Sequence, residues 1–342
     1  MKRVYENFAL GKLKHEYLAQ LLSNIEIEDK RVILGSNIGE DAAVIDIPGN
    51  NYLVVKTDPI TFATDEIGYY SVIVNVNDLA CTGAKPKWFQ STILLPEKLT
   101  TNDMIDNIFK NIHDTCKSLE ITVVGGHTEI TARLDRPIVI GSLIGEVPKD
   151  KLVLTSGAES GDALILTKGI FIEGTSIIAR EKEKELIDYR LGDDFIKKCQ
   201  DYLFNPGICV LKEALLANNN FKIKSCHDPT EGGLYTGIAE MTIASNTGIF
   251  IEESKINILR EPKILSEIYH INPYNTISSG SLLISVKKED SLDLIEILKK
   301  NQIDAEEIGF FTPKSKGLVV KKRNGKKEPL KYSETDEITK LF

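Results

Sequence analysis

The chain has 342 residues, 42% of them hydrophobic and 27% charged, the balance of an ordinary globular protein with room for two domains. Its net charge of −8 opposes binding to nucleic acid or an anionic membrane, and no Lys/Arg run reverses this: Lys321-Lys322-Arg323 and Lys326-Lys327 read as a solvated hairpin. Residues 1–22 lack the apolar core of a signal peptide, and no segment is long and apolar enough to span a bilayer. Cys81, Cys116, Cys199, Cys209 and Cys226 are odd in number and never spaced C-x-x-C, so the expectation is reduced thiols in the cytoplasm, without a disulfide framework or zinc site.

Apolar periodicity predicts an amphipathic helix over 10–23, then strands over 42–47 and 52–57 about the turn Pro48-Gly49-Asn50-Asn51. A mostly apolar helix over 67–83 and a strand over 88–95 follow. The next helix, over 101–119, can be capped by Thr100 or Thr101, and strands are expected over 121–124 and 137–147. The polar, turn-rich stretch 148–161 separates an N-terminal domain, 1–150, from a C-terminal domain, 151–342. The second half reads as a strand over 163–167, helices over 170–184, 193–203 and 208–218, a strand over 221–225, a helix over 231–245 and a strand over 248–252. Beyond these come a strand over 281–286, a helix over 291–300 and strands over 306–311 and 317–321. Strands and helices alternate irregularly, so the expected class is α+β rather than a doubly wound parallel sheet.

Four acidic motifs stand out: Gly39-Glu40-Asp41-Ala42-Ala43-Val44-Ile45, Lys56-Thr57-Asp58-Pro59, Val76-Asn77-Asp78-Leu79-Ala80 and His227-Asp228-Pro229-Thr230-Glu231-Gly232-Gly233. Each sets an aspartate at the edge of an apolar or glycine-rich segment, where a carboxylate is costly unless a cation meets it. Two carboxylates about 4 Å apart repel by roughly 4 kcal/mol at an effective dielectric near 20. If the four converge, a hard divalent cation offsets that repulsion, and Mg²⁺ held by carboxylates and substrate phosphates has this form. The reading that follows is an ATP-using enzyme.

Each motif also has a plainer explanation. Asn75, Asp78 and Thr82 make a narrow polar stripe that is either an exposed face or, in a helix apolar nearly all round, a buried acid in need of a partner. Asp41 and Asp58 fit loop solvation and a turn at Asp58-Pro59. Val123-Val124-Gly125-Gly126-His127-Thr128-Glu129 reads as a strand entering a double-glycine turn, which can be a simple turn or a phosphate cradle. His127 is a structural histidine or a ligand. Thr230 can cap the helix that follows Asp228, with Glu231 in its first turn, and a helix N-terminus attracts anions. Ser278-Ser279-Gly280-Ser281 is a similar small-residue turn. Nothing matches a Walker A loop, a G-x-G-x-x-G fingerprint, H-E-x-x-H or G-x-S-x-G.

In order and spacing these motifs resemble the superfamily of aminoimidazole-ribonucleotide synthetase, selenophosphate synthetase, thiamine-monophosphate kinase and the hydrogenase maturation factor HypE. The likeness runs from about Gly11 to Val320. Gly11-Lys12-Leu13, the four acidic motifs and Ser279-Gly280-Ser281-Leu282-Leu283-Ile284 read most like the HypE branch. The resemblance implies a PurM-like fold whose N-terminal α/β domain builds an intersubunit β-barrel in a homodimer, with a C-terminal α/β domain behind it and ATP in a cleft near the interface. Carried over by position, Asp41, Asp58, Asp78 and Asp228 match Mg²⁺–phosphate aspartates, Asp78 with a catalytic part. Lys12 matches a phosphate-facing lysine, and Gly125-Gly126-His127 matches the Gly-Gly-His of selenophosphate synthetase. HypE and the kinase carry aspartate where His127 stands.

Two departures shape the expected chemistry. HypE ends in a cysteine that accepts a carbamoyl group, whereas this sequence ends Thr339-Lys340-Leu341-Phe342 with Cys226 its last cysteine, so that reaction is not expected in its usual form. The cysteine or selenocysteine of selenophosphate synthetase is likewise replaced at Leu10-Gly11. The expected function is Mg²⁺-dependent phosphoryl transfer from ATP to an acceptor oxygen positioned by His127 or Glu129, with a possible protein partner in a maturation pathway. A nucleotide-binding dimer without turnover, serving as scaffold or sensor, and a kinase of the thiamine-phosphate type are the alternatives.

Overall fold

A computed structural model describes residues 13, 15–35, 39–40, 42–61, 63, 65–333 and 335–342. Lys12 and Asp41 lie outside the described residues, as do 10–12 and 14 of the first expected helix.

The N-terminal part runs α1 (His15–Leu22), β1 (Val32–Leu34), β2 (Ala43–Asp46), β3 (Asn51–Ile60), α2 (Ile67–Cys81), β4 (Lys85–Pro96), α3 (Asn102–Ser118), β5 (Thr122–Thr131) and β6 (Ile138–Pro148). Its six-stranded sheet has the order β1-β2-β3-β6-β4-β5, antiparallel except for the β4–β5 pair. In β6 the buried positions Val139, Gly141, Leu143, Gly145 and Val147 alternate with half-buried ones, the period-two signature of a sheet covered on one face. α2 and α3 provide the cover, and α2 comes so close that a Cβ on Gly141 would lie 2.4 Å from the Ser71 carbonyl oxygen. Thr101 caps α3, its side chain accepting from the Met104 N–H at 3.2 Å.

The C-terminal part runs β7 (Ala163–Thr167), α4 (Ile172–Glu181), α5 (Glu183–Asp188), α6 (Asp193–Asp201), α7 (Leu211–Asn220), β8 (Ser225–His227), α8 (Gly233–Ser245) and β9 (Thr247–Glu252). It continues with α9 (Arg260–Ile268), β10 (Leu283–Val286), α10 (Ser291–Lys300), β11 (Ala305–Pro313), β12 (Leu318–Lys321) and β13 (Lys327–Pro329). The seven strands are ordered β13-β12-β9-β11-β7-β10-β8, with only β12–β9 parallel. The basic stretch near the end is the β12–β13 hairpin.

Several elements differ from expectation. β3 runs on through Asp58 and Pro59, which pair with Gly141 and Ile140, so no turn begins at Asp58. β5 continues through both glycines to Thr131, because nine residues of it pair with β4. The helix expected over 170–184 divides at Lys182, whose φ of −114° breaks it into α4 and α5. β8 starts where a strand was expected to end, since it is residues 225–227 that pair with β10. α9 was not anticipated.

The two parts meet along α2, which touches α7 and β8. Asn77 makes the tie specific: its Nδ2 donates to the Ile208 carbonyl at 2.8 Å and its Oδ1 accepts from the Val210 N–H at 2.9 Å, all buried.

Candidate functional site

Along β3, Val54, Lys56, Asp58 and Ile60 fall on one face by the period of two, and Val54 and Ile60 are buried. Asp78, on α2, is 4% exposed, so the polar stripe of that helix is interior. What meets it is Lys56: Nζ lies 3.0 Å from Asp78 Oδ2 and 3.5 Å from Asp58 Oδ2. One helical turn beyond Asp78, Cys81 Sγ donates to Asp228 Oδ1 at 3.4 Å, and Asp228 is 1% exposed. Asp228 follows β8 directly, so this bond links the aspartate of the C-terminal part to the helix that carries Asp78.

A cleft opens beside these groups. Asp58, Ile60 and Tyr70 line it from one side, and Glu173, Thr230, Glu231 and Ser279 from the other. Its free volume of about 60 Å³, open to solvent on one side, has room for a few waters. Glu173, in the first turn of α4, is fully enclosed, and burial pushes its carboxyl up to about 8, although the Ser279 N–H donates to Oε2 at 3.3 Å. It is protonated at neutral pH. Glu173 did not emerge from the sequence, yet the signal was there: one acid inside the apolar run 170–178, the same sign that marked Asp78.

The loop after Asp228 is held differently from expectation. α8 starts at Gly233 with Gly232 at φ +79° as its left-handed N-cap, and Thr230 does not cap it. The Gly232 N–H donates instead to Asp336 Oδ2 at 2.6 Å, and Asp336 Oδ1 accepts from the Ile338 N–H at 2.8 Å. Burial raises the Asp336 carboxyl to about 6. The helix terminus read as an anion site is thus occupied by a carboxylate of the chain itself.

The remaining sequence-derived candidates lie elsewhere. Gly125 and Gly126 are inside a strand, not at a turn. At Gly126, with φ +155°, a Cβ would lie 2.3 Å from the Ser91 carbonyl oxygen, so close strand approach accounts for that glycine. His127 and Glu129 are exposed on β5, the sheet edge, with Nε2 and Oε2 3.1 Å apart; Thr131 also donates to Glu129. These two hydrogen bonds, that of His127 foremost, hold the Glu129 carboxyl below its ordinary value. Among the described residues no hydrogen bond or ion pair joins them to Asp58, Asp78 or Asp228. The structure therefore brings Asp58, Asp78 and Asp228 into one neighbourhood and leaves His127 and Glu129 outside it.

As a metal centre the donors fit in kind, since carboxylate oxygens suit Mg²⁺. Among the described residues, however, no three His, Cys, Asp or Glu side chains gather closely enough to hold an ion. Lys56 sits where a metal between Asp58 and Asp78 would. A larger cavity of about 820 Å³, lined by Lys168, Lys198, Glu213 and Glu261, lies away from these acids. Its chemistry is already spent on structure: Lys168 pairs with Glu213 at 2.8 Å and Lys198 with Glu261 at 2.9 Å.

Two mixed-sheet domains joined over a buried acidic cleft make a two-domain PurM-like fold. Residues 39–147 match the AIR synthase related protein N-terminal domain and residues 159–322 the AIR synthase related protein C-terminal domain, and the chain belongs to this family. A putative hydrogenase expression/formation protein of Methanocaldococcus jannaschii is 31% identical over 328 residues, 94% of either chain. Among solved structures, a HypE–HypF complex aligns with TM-score 0.74 at 22% identity, over 93% of this chain and 99% of that one. A hydrogenase maturation protein HypE in complex with ATP aligns with TM-score 0.67 at 19% identity, over 93% and 95%. No helix of the described residues is long and apolar enough to cross a membrane.

Proposed function

We propose that the cleft takes ATP with Mg²⁺ and that the chain moves a phosphoryl group to an acceptor oxygen, in the maturation of a hydrogenase or another metalloenzyme. The observation that carries this reading is a cleft lined by Asp58, Glu173 and, from the loop after Asp228, Thr230 and Glu231, with Asp58 tied through Lys56 to the buried Asp78 behind it. In this reading Asp41, Asp58, Asp78 and Asp228 would hold Mg²⁺, which would offset the charge of the phosphates. Lys12 and Lys56 would face the nucleotide's phosphates. Glu173, neutral at pH 7, offers a hydrogen-bond donor where an ionised acid would repel them. The free volume of the cleft, about 60 Å³, is too small for a whole nucleotide, so sugar and base would extend outside it.

A homodimer belongs to the proposal. Among the described residues no strand pairs with the outer edge of β5, ten residues long with Val124 55% and Ile130 54% exposed, an edge that a second copy would cover. His127 and Glu129 would serve an acceptor only in such an assembly. A maturation partner is proposed from the likeness to HypE, solved as a complex with HypF.

One observation favours the second reading, nucleotide binding without turnover: Lys56 already neutralises part of the Asp58–Asp78 charge. Calorimetry decides the common ground, with Mg²⁺-dependent binding of ATP or ADP expected and its absence ending both readings. A screen of acceptor oxygens with ADP release as readout, thiamine monophosphate included, then separates turnover from silent binding. Asp78→Asn should cut any such turnover by roughly a hundredfold or more while the far-UV circular dichroism stays unchanged.

A further inference from the structure

Lys56 occupies the position between two acids that a metal reading reserves for an ion. Its place is fixed by the strand: two residues before Asp58, it shares the face of β3 that carries the buried Val54 and Ile60. Only 15% of its side chain is exposed, against 6% for that of Asp78, and its ammonium lies 3.0 Å from Asp78 Oδ2 and 3.5 Å from Asp58 Oδ2. The charge facing it from the α2 side is Asp78, and Asp228 is bonded to Cys81 one turn further on. An ammonium and a divalent ion cannot occupy the same gap between two carboxylates, because their like charges repel strongly at such a separation.

We infer that Lys56 is the resident counter-ion of the Asp58–Asp78 pair and competes with free divalent metal for it. The nucleotide-free pocket then binds free Mg²⁺ weakly. Metal enters with a nucleotide, whose phosphates add the negative charge needed to hold both the ion and the ammonium. The first statement stands on the geometry alone; the entry of metal with nucleotide rests on the function proposed above.

The test is a titration of the nucleotide-free full chain with Mn²⁺ alone, followed by electron paramagnetic resonance of the unbound ion. Lys56→Gln leaves two acids without their ammonium and should bind Mn²⁺ at least about tenfold more tightly than the wild type. Its melting temperature should rise on adding Mn²⁺ while that of the wild type stays put. Lys56→Arg keeps the charge and should bind Mn²⁺ no more tightly than the wild type. Equal or weaker binding by Lys56→Gln, or tighter binding by Lys56→Arg, overturns the inference. If Lys56→Gln folds only with Mn²⁺ present, that dependence itself supports it. The two proposals fail separately: loss of Mg²⁺-dependent ATP binding in the wild type ends the nucleotide reading, whereas the metal-only titration judges Lys56.

Discussion

Replacing Glu173 by glutamine should make the protein more stable, by an amount that grows with pH. Burial moves this carboxyl from its ordinary 4.5 to about 8, with Glu231 and Asp336 adding to the rise and the Ser279 N–H opposing it. Below pH 4.5 the group is protonated whether the chain is folded or not and contributes no pH dependence. Above it, the unfolded chain releases the proton while the folded chain keeps it, so stability falls as pH climbs to about 8. Each pH unit in that window is worth about 1.4 kcal/mol, which gives roughly 3 kcal/mol at pH 7 and roughly 5 kcal/mol once pH exceeds 8.

Glutamine is neutral throughout and keeps an oxygen for the Ser279 N–H. Thermal melts of both proteins from pH 4.5 to 9 read the difference. The curves should meet at the acid end and part by about 2 °C for each kcal/mol, near 6 °C at pH 7 and 10 °C at pH 9. Curves that stay parallel, or a wild type more stable than the variant at pH 9, would refute the placement of Glu173 as a buried, protonated acid. Because an unstable acid in a cleft is characteristic of a working site, the same variant should also weaken Mg²⁺-dependent nucleotide binding.

Two further substitutions probe the frame around the cleft. Asn77→Ala strips the partners from the buried Ile208 carbonyl and Val210 N–H, and should cost about 2–4 kcal/mol and speed hydrogen exchange at 208–211; a loss under about 0.5 kcal/mol would contradict the interdomain tie. Gly126→Ala places a Cβ 2.3 Å from the Ser91 carbonyl oxygen at φ +155°, and should lower stability by about 2 kcal/mol or more. At Gly125 a Cβ meets nothing within 4 Å, so Gly125→Ala should change stability by less than about 1 kcal/mol. Equal melting temperatures for the two alanine variants would show that the close approach of β4 and β5 is not what demands glycine.

What the sequence made legible was local. Residues 163–167 and 291–300 form the strand and helix expected of them, because each is a short apolar pattern bounded by polar residues. For Asp78 the nearly all-round apolar helix set an interior acid beside the alternative of an exposed polar stripe, and the structure takes the interior one. What it hid depends on distant partners. Gly125-Gly126 carries the local signature of a turn, but pairing with β4 keeps the chain extended. Thr230 has the right chemistry and position for a cap, yet the N–H it would serve goes to Asp336, 104 residues further on. Lys56 looks like a surface lysine until β3 is laid against α2, and only then does its alternation with Asp58 place both on the covered face. Asp41 and Lys12, prominent in the motifs, lie outside the described residues.

The acids around the cleft are accommodated in different ways, and the differences bear on what can enter. Asp58 and Asp78 share the ammonium of Lys56, Asp228 accepts from a thiol that brings no charge, and Glu173 keeps its proton. Counting Glu231 at the rim, the carboxylates among the described residues outnumber the ammonium of Lys56. Such a cleft repels a bare triphosphate and welcomes one whose charge a divalent ion has already offset. Nucleotide affinity should therefore rise steeply with Mg²⁺, and more so at low ionic strength, where surrounding salt does least to screen the excess negative charge. ATP binding as tight in the presence of a chelator as with Mg²⁺ would mean that the triphosphate lies away from these aspartates, whatever else the cleft holds.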